Sequence, residues 1–246
     1  MKNEIKLLQL NIESDKHLER IVPFVKENSF DVLCMQEVPE SALQIIAEAA
    51  NAEYAFAGMT LRTKKNVRSK EGIAIFSRFP IKNKTIMRYA GNDEPAVEFD
   101  RRSAESKHAT QSYSLLACEL EKDSKLFRIA TTHFTWTPDG MPDSHQRKDM
   151  KELLKAISNF DELLLAGDFN APRGGEIFGM LTEQLKDNVP ARFSSSLDKK
   201  LHRGGAQLEL MVDGIFSSPG YEVHDVEMFC GLSDHCALVG RVSIAT

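Results

Sequence analysis

Glu37, Asp168, Asp213 and Asp234, joined by the amides of Asn11 and Asn170, form a set of hard oxygen donors spread across a 246-residue chain. Oxygen ligands of this kind suit Mg²⁺ or Mn²⁺, which keep several waters and lean on few carboxylates, whereas zinc prefers imidazole and thiolate. A divalent ion held among them would clamp a phosphate oxygen, neutralise charge developing in a transition state and stabilise a leaving group. His133 and His235 add acid-base and anion-stabilising groups. A carboxylate partner holds a histidine in one tautomer and raises its basicity. Asp213 is the expected partner of His235, and Glu71 the expected partner of His133.

Other chemistries fail on spacing. Ser233-Asp234-His235 contains the residue types of a serine hydrolase, but chain neighbours cannot face one another as nucleophile, orienter and base, and no Gly-x-Ser-x-Gly elbow exists. A Walker-type phosphate loop is also absent from the sequence.

The elements that must position these groups are legible as apolar runs. Leu163-Leu164-Leu165-Ala166-Gly167-Asp168-Phe169-Asn170 reads as a core strand with Asp168 at its end, where a rigid element can aim a charge. Taken alone, Gly167-Asp168 reads equally as a turn. Lys6 to Leu10 predicts a first strand ending at Asn11, and Asp31 to Met35 a second ending at Gln36 and Glu37. Between them Leu18, Ile21, Val22 and Val25 recur at helical spacing, with Ser14 or Asp15 as cap and Pro23 expected to kink the helix or begin another.

Ser41 to Ala50 reads as a helix and Tyr54 to Ala57 as a short strand. Five basic residues (Arg62, Lys64, Lys65, Arg68, Lys70) precede the apolar run Gly72 to Ser77 and read as a solvated loop or a phosphate-attracting rim. Ala90 to Ala109 reads as a long loop with Arg101 and Arg102 near its middle. Strands follow at Tyr113 to Leu120 and Leu126 to Thr132, then His133 and an irregular loop opened by Trp136 and Pro138. Asp143 or Ser144 caps a helix striped by Met150, Leu153, Leu154 and Ile157. After a turn at Pro172 to Gly175, a short helix at Glu176 to Leu185 and a polar loop, strands are expected at Leu208 to Phe216, Tyr221 to Phe229 and Cys236 to Ile244.

The two halves echo each other. Strand, Asn11, helix, strand and Glu37, with Glu71-Gly72-Ile73 and Phe76-Ser77 later, match strand, His133, helix, strand and Asp168, with Asp213-Gly214-Ile215-Phe216-Ser217 later. A β-sandwich with helices outside follows, each half contributing one sheet, with Asn11, Glu37, His133 and Asp168 converging on one rim.

Length and the lack of a Pro/Gly/Ser-rich linker predict one domain over residues 1–246. An apolar fraction of 42% with 27% charged residues is enough to bury a sizeable core. The net charge of −5 argues against a broadly basic surface for nonspecific nucleic-acid binding, leaving room for a local basic patch. The chain enters its first strand without an apolar leader and has no span approaching about 20 apolar residues, so a cytoplasmic location and no membrane span are expected. Cys34, Cys118, Cys230 and Cys236 lack metal-ligand spacing and are expected to be reduced and structural.

Gln9-Leu10-Asn11, Met35-Gln36-Glu37-Val38, Gly72-Ile73-Ala74-Ile75-Phe76-Ser77, Thr132-His133, Gly167-Asp168-Phe169-Asn170, Val212-Asp213 with Ile215-Phe216, and Ser233-Asp234-His235 follow one another in an order that resembles the endonuclease/exonuclease/phosphatase superfamily, which includes the DNase I-like enzymes. The resemblance covers nearly the whole chain. It implies a four-layered α/β/β/α sandwich of two mostly antiparallel sheets, and Mg²⁺-dependent cleavage of a phosphoester by an in-line water. On the matching positions, Glu37 would be the principal metal ligand with Asn11 and Asp234 supporting it, directly or through water. Asp168 and Asn170 would position the nucleophile and a phosphate oxygen, and His235 paired with Asp213 would act as base or phosphate stabiliser.

A histidine at position 133 resembles the DNase I-like, sphingomyelinase-like, phosphoinositide-phosphatase-like and tyrosyl-DNA-phosphodiesterase-like branches more than apurinic endonucleases, which tend to carry tyrosine there. Trp136, Arg101, Arg102, Lys64, Lys65 and Arg68 are the candidate substrate contacts. The expected substrate is a phosphodiester in nucleic acid or at a nucleic-acid end or adduct, taken by a monomer. The alternatives are a small phosphoester such as an inositol phosphate or phospholipid, and a phosphate-binding module without catalysis.

Overall fold

Alternation in the first strands decides the layering. In β1 (Glu4–Asn11) and β2 (Val32–Pro39), Leu8, Leu10, Leu33 and Met35 join the core under two helices, whereas Leu7, Val32 and Cys34 point the other way, into the core between two sheets. The helices are α1 (Leu18–Asn28), which buries Ile21 and Val25, and α2 (Glu40–Ala50), which buries Ala42, Leu43 and Ile46. The computed structural model describes residues 4–245 apart from 65, 93, 96, 205 and 206.

Two six-stranded sheets result. The first runs β11 (Tyr221–Phe229), β12 (Ala237–Ile244), β1, β2, β4 (Val67–Ser77), β3 (Glu53–Lys64). The second runs β5 (Ile81–Gly91), β6 (Ser112–Lys122), β7 (Lys125–His133), β8 (Leu164–Asp168), β10 (Asp213–Ser217), β9 (Lys186–Asp187). Only β1 with β2 and β7 with β8 pair in parallel among the described strands; the others are antiparallel. Each parallel pair is joined through a helix, α1 in the first case and α4 (Ser144–Ile157) in the second, so the echo between the halves is real. With α4 burying Met150, Leu153 and Ile157 and α5 (Glu176–Thr182) burying Ile177, Phe178 and Leu181, the molecule is the expected α/β/β/α sandwich.

Several local expectations are corrected. The halves do not supply one sheet each, because β11 and β12 cross to the β1 edge of the first sheet. Pro23 lies inside an unbroken α1, on its exposed side, where the carbonyl left without an N–H partner faces water. The α1 cap is His17, without a side-chain cap hydrogen bond, rather than Ser14 or Asp15. The basic stretch 62–70 is the end of the β3/β4 hairpin instead of a loop, since Arg62 faces Ser69 in the ladder. The long loop after β5 contains a short helix, α3 (Ala104–Thr110), capped by the Ser103 side chain accepting from the Ser106 backbone N–H.

Cys230 and Cys236 are joined by a disulfide, so the expectation of four reduced cysteines is overturned for this pair. Phe229 and Ala237 face each other across β11 and β12, which brings the next residue outward on each strand together. That pairing exists only once the strands are matched. Cys34 and Cys118 are free and buried.

Candidate active site

One rung of the second sheet carries the centre of the site. His133 on β7, Asp168 on β8 and Asp213 on β10 are direct neighbours in register, so three side chains from separate segments project side by side. Gly167 lets the strands approach: a Cβ there would come within 2.3 Å of the Thr132 carbonyl oxygen. In the first sheet, Asn11 at the end of β1 pairs with Gln36 on β2. The β2/β4 register then shifts between Met35 and Val38, and Glu37 takes a left-handed backbone with φ of 55°. A bulge of this kind re-aims a side chain out of the ladder's alternation, and an L residue tolerates it only when the surroundings enforce it.

The sheets are tied together at this end by buried amides. Gln9 Nε2 donates to Gln36 Oε1 at 3.0 Å and to Asp213 Oδ1 at 2.8 Å, while Gln36 Nε2 donates to Thr131 Oγ1 at 2.9 Å. Asn11 Nδ2 donates to Asp168 Oδ2 at 3.0 Å and reaches Glu37 Oε1 at 3.4 Å. His235, which follows β11 and precedes β12, places Nδ1 2.7 Å from Asp213 Oδ2. Its Nε2 lies 3.7 Å from Asp168 Oδ2, and His133 Nε2 lies 3.5 Å from the same oxygen. Asp168 Oδ2 is therefore the point on which two imidazoles and one amide converge. Its other oxygen accepts from the Asn170 backbone N–H at 2.9 Å.

Asn170 has φ of 47° and gives an Nδ2 hydrogen to the Phe134 carbonyl at 2.9 Å. It thus fixes the turn that holds Asp168, a left-handed position that asparagine accepts readily.

The charges are strongly coupled. Burial disfavours the His235 imidazolium, but Asp213 and Asp168 outweigh it and hold its pKa well above the ordinary histidine value. The ring is thus a cation that donates through Nδ1 to Asp213. Burial also opposes ionisation of Glu37, yet His133, Arg62 and His235 together keep its carboxyl below the usual range. Burial and the nearby Glu37 charge push Glu71 up to about 7, and burial raises Asp234 to about 6 against the attraction of His235.

Glu71 corrects one expectation. Its carboxylate forms an ion pair with Arg62, and among the described residues the carboxylate partner of His133 is Asp168. Glu71 lies on β4 opposite Pro39, two residues beyond Glu37, which puts the two acids in one neighbourhood.

The acidic groups fit a cation. Among the described residues Glu71 Oε2 is buried without a hydrogen-bond partner; Arg62 opposes the charges of Glu37 and Glu71 together, and His133 and His235 oppose that of Glu37. The Glu37 and Asp234 carboxylates feel each other's charge. A tight grouping of potential metal donors occurs at Asp168, Asp213 and His235, where the hydrogen-bonded imidazole already occupies the centre. Around Glu37 the carboxylates of Glu37 and Asp234 are the hard oxygen donors suited to a hydrated ion, while Asn11 turns its amide nitrogen to Glu37 and Asp168 and its oxygen to the Glu13 backbone N–H.

The expected substrate contacts divide. Arg102, itself exposed, grips Asp100 through both carboxylate oxygens. Trp136 is half-buried, and its ring face is covered by the Lys107 ammonium, 3.2 Å from the centroid. Arg101 is exposed over the Phe99 ring. Arg68 is exposed on β4, Lys64 ends β3, and Lys65 lies outside the described residues. Residues not singled out from sequence are Arg62, His202, whose ring meets His235 edge-on at 6.3 Å, and the tying groups Gln9, Gln36 and Thr131. Only Gln9 and Gln36 carried a signal, as polar residues inside apolar strands.

The profile of the Endonuclease/Exonuclease/phosphatase family matches residues 8–235. The chain belongs to this family. Its membership makes it a hydrolase of phosphoesters. No curated protein sequence matches this family member. Solved structures share its fold at low identity. An endonuclease/exonuclease/phosphatase from Bacteroides vulgatus is 17% identical with a TM-score of 0.72, over 99% of this chain and all 100% of the other. The catalytic domain of human Nocturnin, solved with a bound sulfate anion, is 18% identical with a TM-score of 0.70, over 99% of this chain and 94% of the other. A mannosyl-6-phosphatase from Bacteroides thetaiotaomicron is 16% identical with a TM-score of 0.66, over 98% and 100% of the two chains. Among the described residues, no helix of this family member is long and apolar enough to cross a membrane.

Proposed function

We propose that the protein hydrolyses a phosphodiester in nucleic acid, or at a nucleic-acid end or adduct, by in-line attack of a water, with Mg²⁺ or Mn²⁺ as cofactor. The observation that carries this reading is the convergence of His133, His235 and Asn11 on Asp168 beside the Glu37 and Glu71 acids. Asp168 is the orienting carboxylate: fixed by Asn11 and Asn170, it accepts a hydrogen bond from the attacking water and draws its proton as the new P–O bond forms. His235, charged and held by Asp213, donates to a phosphate oxygen as negative charge accumulates, and His133 faces the same space from the opposite strand. Glu37 would hold the ion, with Asn11 and Asp234 supporting it directly or through water. The ion supplies Lewis-acid stabilisation of the phosphate and the departing oxygen.

A smaller substrate, such as an inositol phosphate or a phospholipid headgroup, is the second reading. It is favoured by the net charge of −5 and by the engagement of Arg102 with Asp100. A panel of single- and double-stranded DNA, 5′-tyrosyl DNA, RNA, inositol phosphates and sphingomyelin, each with and without Mg²⁺, tests the choice. The proposal expects a nucleic-acid substrate to rank first by kcat/KM. Turnover confined to inositol phosphates or lipid would replace it with the second reading.

A further inference from the structure

Among the described residues, three cations near the site have no counter-ion. The partly buried Arg62 and Arg173 find carboxylates, Glu71 and Asp187, whereas Arg101 and Arg203 are exposed and Lys107 is half-buried. Among the described residues, no carboxylate lies within ion-pair distance of Lys107, Arg101 or Arg203. Lys107 is half-buried, with its ammonium 3.2 Å from the Trp136 ring centroid. Arg101 lies over one ring, Phe99, that Arg62 also covers, with guanidinium carbons 5.5 and 5.2 Å from the centroid. Arg203 follows His202, whose ring meets His235.

The Lys107 position is built. It lies on α3, whose next residue, His108, places Nε2 2.7 Å from the buried Asp149 carboxylate on α4. The same Asp149 oxygen accepts from Thr135 Oγ1 at 2.6 Å, which fixes the backbone just before Trp136. The helix carrying the cation and the segment carrying the ring are thus locked to one buried acid. Burial, together with the charges of Arg203 and Arg101, lowers the Lys107 ammonium to about 8, against the attraction of Glu37. The Lys107 ammonium, set over Trp136, feels the repulsion of Arg203 and Arg101, and a group so placed is one that an anion would relieve.

We infer that Lys107, Arg101 and Arg203 form a second anion subsite beside the reacting phosphate, which takes another phosphate of the same substrate. This inference rests on the phosphodiesterase reading and narrows it to substrates carrying two phosphates close together. The next phosphate of a polynucleotide, a terminal phosphate on a short end, or a small bisphosphate all supply that chemistry.

Calorimetric titration of the metal-free protein with inorganic phosphate and with pyrophosphate reads the subsite without turnover. Pyrophosphate binds at least about tenfold tighter than phosphate in the parent, a margin that one charge-assisted contact supplies. The Lys107→Gln/Arg203→Gln double variant loses that margin, whereas Lys107→Arg keeps it. Equal affinity for the two anions in the parent, or an equal loss of both in the double variant, would overturn the inference. KM ratios then separate the sources: a 5′-phosphorylated against a 5′-hydroxyl dithymidine dinucleotide, and inositol bisphosphate against inositol monophosphate. A parent that cleaves no diester with Mg²⁺ or Mn²⁺ would refute the phosphodiesterase reading, while the binding comparison still decides the subsite.

Discussion

Asp213→Asn probes the part of the site where geometry and charge are most tightly joined. The carboxylate lies 2.7 Å from His235 Nδ1 and accepts from Gln9 Nε2 at 2.8 Å. Asparagine keeps the shape and the Gln9 bond but removes the charge that most opposes the burial penalty on the imidazolium. A buried hydrogen bond to a charged group is worth about 1.5–3 kcal/mol, which corresponds to a roughly 10- to 150-fold fall in the protonated fraction of His235 above the ordinary histidine range. The assay is kcat/KM on bis-p-nitrophenyl phosphate from pH 5.5 to 9 with saturating Mg²⁺. The expected loss at pH 8 is of that size, and it shrinks as pH falls toward 6, because acid restores the proton that Asp213 no longer holds. The stability effect runs the opposite way with pH. A raised histidine pKa contributes stability fully below about pH 6.5 and loses it as pH rises through the folded value, so the Tm gap between parent and variant is widest at mildly acid pH. A loss of equal size at every pH, or none at all, would refute the assignment of His235 as a charged donor set by Asp213.

On the proposed reading, proton and metal would compete for the acids around Glu37. With Asp234 raised to about 6 and Glu71 to about 7, apparent Mg²⁺ affinity weakens by roughly tenfold or more from pH 7.5 to 5.5, with proton release on binding seen by calorimetry in buffers of different ionisation enthalpy; a pH-independent affinity would contradict it. Arg62→Ala leaves Glu71 beside Glu37 without its cation. Because Glu71 ionises as pH rises through about 7, the variant loses more stability to chemical unfolding at pH 8 than at pH 5.5, and an equal loss at both would show that the pair does not carry the charge assigned to it. Replacing both Cys230 and Cys236 by serine opens the short loop that contains Asp234 and His235. The loop-entropy cost is about 2 kcal/mol, or roughly 4–8 °C in Tm for a chain of this size. A dithiol reductant should shift the parent by that amount and leave the double variant unmoved; an unshifted parent would mean the bridge does not constrain the fold.

What was legible in the sequence follows from how local each signal is. Apolar runs ending in Asn11, Glu37, His133 and Asp168 record burial that stops at a sheet edge, and those ends converge as read. The expected pairing of His235 with Asp213 is met, with Nδ1 2.7 Å from Oδ2. Spacing alone points His133 to Glu71, because strand order is not written in it: β8 lies beside β7, which delivers Asp168, while Glu71 pairs with Arg62 in the β3/β4 hairpin. The Cys230–Cys236 bridge was invisible for the same reason, depending on the β11/β12 register. Arg62 read as part of a basic stretch, since no local pattern distinguishes a strand residue turned inward from a solvated one. Lys107 and Arg203 gain meaning only where α3 and the 202–204 turn meet the Trp136 and His235 side chains.

The central claim is that a divalent ion at Glu37 and the Asp168, His133 and His235 cluster together cleave a phosphodiester. Its most direct measurement is the hydrolysis of bis-p-nitrophenyl phosphate by the parent and by Glu37→Ala, each followed before EDTA, after EDTA and after restoring Mg²⁺ or Mn²⁺. Parent activity that EDTA abolishes and the metal restores, with Glu37→Ala inactive throughout, is the predicted result. Turnover that survives EDTA, or that Glu37→Ala retains at the parent rate, would contradict it.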